Sequence, residues 1–274
     1  MRLAILFLGL AAACCSPATE VNVSEPVEPM RVVSLDYCAD QYVLKFVDRS
    51  RILAVSPDAE STFSYMRDSA EGLPSVRPLA EDVLILKPDL IVRSYGGGPN
   101  ASTFFERAGI PVVELGWTPT LESVMDNIER VAGELGAAEK GREVTADMRS
   151  RLDALKASGA GQTAMYMTPA GVTTGPGSLV SELMTSAGYS NFEETSGWHA
   201  IPLEKLAFER PDVVAAAFFN EKRSHMNSWS ATFHPVARDQ LEHSNIISLR
   251  GEWTVCGGWF LLDAIEALAE GAEP

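Results

Sequence analysis

The sequence predicts an α/β protein of two α/β lobes with mostly parallel sheets, joined by one long backbone helix, with a ligand cleft between the lobes. Three observations predict it. Short apolar runs alternate with helical stretches, the signature of parallel β–α units. A segment of the first half recurs in the second. Glu81-Asp82-Val83-Leu84-Ile85-Leu86-Lys87-Pro88-Asp89-Leu90-Ile91-Val92 and Glu204-Lys205-Leu206-Ala207-Phe208-Glu209-Arg210-Pro211-Asp212-Val213-Val214 carry Glu, apolar, basic, Pro-Asp and branched apolar residues at the same offsets. Between the two copies lies one uninterrupted helical stretch, residues 137–157. About twenty residues at ~1.5 Å rise make a rod of about 30 Å, long enough to cross from one lobe to the other.

The elements follow in order. Residues 31–35 (Arg-Val-Val-Ser-Leu) read as a buried strand. Asp36-Tyr37-Cys38-Ala39-Asp40 leads into a helix through Tyr42, Leu44 and Phe46. A second strand covers 51–56 and ends at Pro57-Asp58. A helix over 80–88 is stopped by Pro88. The third strand, 90–92, runs out into Ser94-Tyr95-Gly96-Gly97-Gly98-Pro99. A helix over 103–108 ends at Gly109, and the fourth strand, 111–115, ends at Gly116-Trp117. Residues 121–135 are helical. In the 137–157 helix Val144, Met148, Leu152 and Leu155 form one apolar stripe. After Ser158-Gly159-Ala160-Gly161 the pattern restarts with a strand over 163–168 and a helix over 178–187. A helix over 203–210, a strand over 213–219, a helix over 234–243, a strand over 246–249 and a closing helix over 259–269 complete it. The division is thus an N-terminal lobe at 30–136, a linking helix at 137–158 and a C-terminal lobe at 159–274.

The ends and the charge narrow the function. Residues 1–13 have one positive charge before a short apolar run ending in small residues, the layout of a secretory signal peptide. Small residues directly before Cys14 resemble a lipoprotein cleavage site, which makes Cys14 the candidate for lipidation; a plain signal peptide cut nearby is the alternative. Residues 14–29 are rich in Pro and Glu without apolar periodicity, as a disordered tether is. The net charge of −15 repels phosphate backbones, so nucleic acid is excluded as a partner, and anionic membrane surfaces repel it too. No cysteine pair has C-x-x-C spacing, which excludes a zinc ribbon.

In open α/β sheets ligands bind beyond the carboxyl ends of the strands. The cleft candidates of the first lobe are therefore Asp36, Tyr37, Cys38, Asp58, Ser94, Tyr95, Gly96 and Trp117. Those of the second are Gly175, Phe219, Trp253 and Cys256, with Trp198 and His199 in a loop reaching the same mouth. So many aromatics suit a large, flat, partly apolar ligand. Trp117 and Phe219 have the core as an alternative. Cys38 and Cys256 have three: a disulfide, free thiols, or a thiolate contact to a bound metal or chelate. A disulfide across a cleft would lock its hinge, so ligand-protectable thiols are the expectation. No set of three or four metal ligands stands out, although Asp36, Asp58 and His199 are of the right types. G-x-S-x-G, H-E-x-x-H, a P-loop and a Rossmann glycine fingerprint are all absent, so no enzyme is expected. The enzymatic alternative is a Cys38–His199 pair in a hydrolase. A sensor or adaptor lipoprotein that keeps the binding fold is another.

Four stretches carry a resemblance to a known family: residues 31–35, 81–92, 108–113 (Ala-Gly-Ile-Pro-Val-Val), and Thr174-Gly175-Pro176-Gly177-Ser178 with Ala187-Gly188-Tyr189-Ser190-Asn191-Phe192. Over 30–269 the chain resembles the helical-backbone (class III) periplasmic substrate-binding proteins of ABC importers, of the vitamin B12 and ferric-siderophore type. The resemblance implies a monomer in the periplasm, membrane-anchored where Cys14 is lipidated. It implies capture of a metal chelate (cobalamin, ferric siderophore or haem) and delivery to an ABC permease in the inner membrane. No intrinsic cofactor is implied, since the metal travels within the ligand. It also implies an acidic docking residue on each lobe. Glu221 matches this in the second lobe, whereas 99–102 offer no carboxylate in the first.

Overall fold

The structure, a computed structural model, describes residues 30–155, 161–217 and 230–271. The signal-peptide, tether and lipidation expectations, Cys14 included, lie outside the described residues, as do Phe219 and Glu221. In chain order the first lobe comprises β1 (Val32–Ser34), α1 (Tyr37–Phe46), β2 (Ile52–Ala54), α2 (Arg67–Ala70), α3 (Ala80–Ile85), β3 (Leu90–Arg93), α4 (Ala101–Arg107) and β4 (Val112–Glu114). Its strands form one parallel sheet of order β2-β1-β3-β4. Helices α5 (Leu121–Glu134) and α6 (Ala138–Ala154) follow. Next come β5 (Thr163–Met167), β6 (Val172–Thr174), α7 (Leu179–Ser186), β7 (Ser190–Asn191), β8 (Trp198–Ala200), α8 (Leu203–Leu206) and β9 (Val213–Ala216). The chain ends in α9 (Pro235–His243), β10 (Asn245–Ser248), α10 (Gly251–Thr254) and α11 (Leu261–Glu270). The second parallel sheet has the order β10-β9-β5-β7, and β6 and β8 pair antiparallel beside it. The fold is the two-sheet α/β architecture that the alternating pattern predicts.

The strands read as continuous apolar runs because helices cover both sheet faces. β1, β3 and β9 are buried along their whole length. The recurring Pro-Asp segment has a physical role in both lobes. The backbone N–H of Arg31, just before β1, donates to Asp89 Oδ2 at 2.8 Å. At the start of β5, the N–H and hydroxyl of Thr163 donate to Asp212 Oδ2 at 2.7 and 2.8 Å. Each aspartate thus pins the entry of its lobe's central strand to the strand that follows the proline. The Arg31 guanidinium, 3.1 Å from Asp89 Oδ2, together with the Arg31 N–H holds the Asp89 carboxyl below its ordinary range, and the Thr163 N–H and hydroxyl do the same for Asp212.

Helix α5 starts with a capping box between Thr120 and Ser123 and buries Leu121, Val124, Met125, Ile128, Val131 and Ala132. Helix α6 turns Gly141, Thr145 and Met148 inward. Only Met148 of the predicted stripe is fully buried; Val144, Leu152 and Leu155 are half-buried. Close approach to α5 is the reason: a Cβ on Gly141 would lie 2.6 Å from that of Ala132. Small residues at this contact let the helix backbones come together.

The end of the chain does not stay with the second sheet. After β10 and α10 it crosses to the first lobe. There Tyr42 donates to the Gly257 carbonyl at 2.9 Å, Trp259 packs edge-on against Tyr42 and Phe46, and Phe260 stacks on Tyr65. Helix α11 then returns. Arg151 of α6 bonds both Asp263 and Glu266, and Tyr189 donates to the Leu268 carbonyl. One cluster of buried apolar side chains therefore runs through both lobes.

Candidate functional site

Between the lobes lies a cavity of about 430 Å³. Ser94 and the segment Gly116-Trp117-Thr118-Pro119 line it from the first lobe. Gly177-Ser178-Leu179-Val180, at the start of α7, and Gly197-Trp198 line it from the second. Cys38, Leu115, Asn127, Leu261 and Thr254-Val255-Cys256-Gly257 complete the wall. Among the described residues, none that lines it is charged. Trp117 and Trp198 are largely exposed, at 86% and 54%, although a free indole face in water is unfavourable by the area it leaves unburied.

Cys38 and Cys256 are joined by a disulfide, with their Cα atoms 5.6 Å apart. The expectation of ligand-protectable thiols is corrected. The hinge argument against a bridge fails because Cys256 sits on the segment that packs against the first lobe. The bond therefore joins two segments that are already packed together. It also removes Cys38 as a nucleophile or metal ligand, so the Cys38–His199 hydrolase alternative has no thiol.

Asp36 turns its carboxylate to backbone donors. The residue is 3% exposed. Oδ1 caps α1 by accepting from Ala39 N–H at 3.0 Å. Oδ2 accepts from the N–H groups of Ser94, Tyr95 and Gly96 at 2.7, 3.0 and 2.9 Å. Asp36 thereby shapes the loop that carries Tyr95. Gly96 is required there for space: a Cβ would meet the Leu35 carbonyl oxygen at 2.3 Å. Tyr95, 52% exposed, leans edge-on against Tyr37 with ring centres 5.7 Å apart, and Tyr37 against Phe63 at 4.9 Å. The Tyr95 hydroxyl donates to that of Tyr37, and burial raises both phenol pKa values. These rings form a ledge that is not part of the cavity wall, although their sequence neighbours Cys38 and Ser94 are.

The remaining candidates separate. Asp58 is exposed and away from the cavity wall. Gly175 is buried against Thr195, whose carbonyl oxygen would lie 2.0 Å from an added Cβ. Trp253 is half-buried under the Arg250 guanidinium, 5.6 Å from the ring centre. His199 is engaged by Glu193 at 2.8 Å and by the Gly197 carbonyl at 3.0 Å. Asp36, Asp58 and His199 do not form a metal site, and among the described residues no group of three or more His, Cys, Asp or Glu could hold an ion. Of the candidates, the cavity brings together Cys38, Ser94, Trp117, Trp198 and Cys256. Thr118, Pro119, Ser178, Leu179, Val180 and Thr254 are additional wall residues. Their signal was present in part: Gly175-Pro176-Gly177-Ser178 is a turn into a capped helix, and Ser178 accepts from Ser181 N–H.

Two α/β lobes with an aromatic-lined cavity between them are the architecture of a cleft-type binding protein. Residues 32–226 match the periplasmic binding protein family, well over half of the chain, and the chain belongs to that family. It is 27% identical over 218 residues to a cobalamin-binding protein of Halobacterium salinarum, across 74% of this chain and 59% of that protein. The chain thus spans less than two thirds of that relative's length. It is 26% identical over 195 residues to a vitamin B12-binding protein of Vibrio cholerae, across 68% of each. Its fold matches the periplasmic heme-binding protein HutB of Vibrio cholerae with a TM-score of 0.71 at 17% identity, covering 89% of this chain and 99% of that one. These relatives are binding proteins rather than enzymes.

Proposed function

We propose that the protein captures a metal chelate (cobalamin, haem or a ferric siderophore) in the periplasm and delivers it to an ABC permease in the inner membrane. The observation that carries this reading is the cavity itself: two exposed indoles, Trp117 and Trp198, on a wall between two lobes that has no charged side chain among the described residues. Indole faces bring contact area with little rotamer entropy to lose, which suits a planar macrocycle. Catecholate and carboxylate siderophores call for arginine in the wall, and among the described residues the wall has none. Within the class the wall therefore favours cobalamin, whose periphery is largely amide. The similarity to cobalamin- and B12-binding relatives supports the same choice.

The metal enters with the ligand and no resident cofactor is needed. Cys14 is the proposed lipid attachment and Glu221 the proposed contact to permease arginines, with a monomer as the working unit. The test is native mass spectrometry of protein purified from its own periplasm, followed by titration with cyanocobalamin, hemin and a ferric hydroxamate. A co-purifying chelate mass and one-to-one saturation are expected. No saturation by any of the three would sink the reading.

A further inference from the structure

We infer that Asn127 is a positioning residue whose side-chain amide holds the segment 116–119, and with it Trp117, on the wall of the cavity. The consequence for capture rests on the function proposed above; the positioning itself does not.

The two exposed indoles of the cavity are held in different ways. Trp198 lies in β8, where it pairs with Thr174 of β6, and the Gly175 N–H donates to the Gly197 carbonyl beside it. The sheet sets its place. Trp117 comes after the end of β4, and residues 115–119 form neither helix nor strand. Leu115 is still tied to β3, its N–H donating to the Arg93 carbonyl at 2.8 Å. Beyond it, among the described residues, 116–119 make a single hydrogen bond: the Gly116 N–H donates to Asn127 Oδ1 at 3.3 Å. The Trp117 ring, 86% exposed, adds little hold of its own.

The surroundings of Asn127 fit it for this role. It is buried on α5 at 7% exposure and lines the cavity. Its Oδ1 also accepts from the Arg130 guanidinium at 2.7 Å, and the same guanidinium donates to the Glu114 carbonyl at the end of β4. Its Nδ2 donates to the Tyr42 hydroxyl at 3.2 Å, and that hydroxyl donates to the Gly257 carbonyl at 2.9 Å. These partners allow one orientation of the amide. Two N–H donors require the oxygen on their side, and a hydroxyl that already donates to a carbonyl requires the NH2 group on the other. Burial pushes the Tyr42 phenol up to about 12, so it keeps the proton it gives to Gly257. Both lone pairs of Oδ1 are occupied, so the oxygen has no capacity left to accept from a ligand.

The network also reaches the segment from its other end. Gly257 is itself a wall residue, and Thr118 fills the space beside it: an added Cβ on Gly257 would lie 2.7 Å from Thr118 Oγ1. Asn127 thus bears on Gly116 directly, and on Thr118 by way of Tyr42 and Gly257. Trp117 lies between the two. An indole ordered before the ligand arrives need not be ordered at the ligand's expense, which is what the amide contributes to capture.

The test uses the whole ligand-free protein in two measurements. In the wild type, amide hydrogen exchange should show Gly116 protected relative to Trp117 and Thr118, whose N–H groups bond to no described residue. A Gly116 amide that exchanges as fast as those two overturns the positioning without reference to any variant's folding. In protein labelled with 5-fluorotryptophan, the Trp117, Trp198 and Trp253 lines are assigned by the corresponding phenylalanine variants. Asn127→Ala should slow the transverse relaxation of the Trp117 line, as a side chain on a freed loop does, and leave those of Trp198 and Trp253 unchanged. Asn127→Asp keeps an acceptor for Gly116 and Arg130 and should restore the Trp117 line. Unchanged relaxation of Trp117 in Asn127→Ala, or an equal change in all three lines, overturns the inference. Affinities for cyanocobalamin and hemin are then compared. Asn127→Ala should bind about three- to tenfold more weakly, the size of ordering one side chain on binding, and Asn127→Asp should lie close to the wild type. Equal affinity in Asn127→Ala for a probe that the wild type binds overturns the consequence for capture. If neither probe binds the wild type, the proposed ligand class fails, while exchange and relaxation still decide the positioning.

Discussion

Cys38, at the second position of α1, and Cys256, on the segment between α10 and α11, are bonded to each other although 218 residues separate them. Both line the cavity, so the bond forms part of the ligand cleft. It fastens the returning end of the chain to the first lobe beside the Tyr42–Gly257 hydrogen bond.

The bond has a direct chemical check. Neither Cys38 nor Cys256 should be alkylated in native or unfolded protein until a reductant is added, as read by peptide mass mapping. Replacing both by serine should lower stability by about 2–5 kcal/mol in urea titration, the usual range for a native bridge closing a long loop. Alkylation of either residue before reduction would show the pair to be thiols.

Asp36 serves four backbone donors at once, so its loss should be felt in the fold rather than in direct ligand contact. Asp36→Ala should destabilise the protein by about 2–4 kcal/mol, combining a lost helix cap with buried N–H groups left unpaired. Asp36→Asn keeps acceptor oxygens and should lie between. Stability equal to wild type in the alanine variant would remove this role.

Asp40 gives a pH dependence with a definite sign. It is fully buried and accepts from the Ser56 N–H and hydroxyl, yet burial outweighs these bonds and pushes its carboxyl up to about 6. The folded state therefore holds this proton more tightly than the unfolded chain, whose carboxyl has its ordinary value of 3.8. The stabilisation is complete below that ordinary value and is lost as pH rises through about 6, with a magnitude of roughly 3 kcal/mol. Asp40→Asn should remove this component. The stability difference between wild type and variant, from denaturant titrations on either side of the window, should shift in favour of the wild type at low pH. A pH-independent difference would contradict it.

The two exposed indoles should act on affinity alone. Trp117→Ala and Trp198→Ala should each weaken cyanocobalamin or hemin binding by about 1–3 kcal/mol, as aromatic anchors do, with thermal stability nearly unchanged. Trp253→Ala, whose ring lies under Arg250 outside the cavity wall, should leave affinity almost intact. Equal losses in all three variants would move the site away from the cavity described above.

Much of the architecture was legible because it is local. Alternation of apolar runs and amphipathic helices is enforced by hydrogen bonding within a few residues, and proline and glycine mark the ends. The Pro-Asp repeat was visible as a pattern, although its purpose, pinning Arg31 and Thr163, needed the strands side by side. The strands β6 and β8 and the helices α2 and α10 were not visible. Three or four residues are too few to set a period, and packing rather than propensity holds them.

The sequence by itself determined the two-lobed α/β frame, the linking helix and the supply of aromatics at strand ends. Only the tertiary structure decided which of those residues meet. Asp36 and His199 looked like ligand groups because residue type and position after a strand or in a cleft loop are all that a sequence displays. Burial turned Asp36 inward to three N–H groups of another loop, and His199 to Glu193. The Cys38–Cys256 bond depends on a chain end that leaves its own sheet to cover Tyr42 and Phe46. That choice is made by the apolar area the crossing buries, a sum over residues far apart in the chain, which no local pattern records.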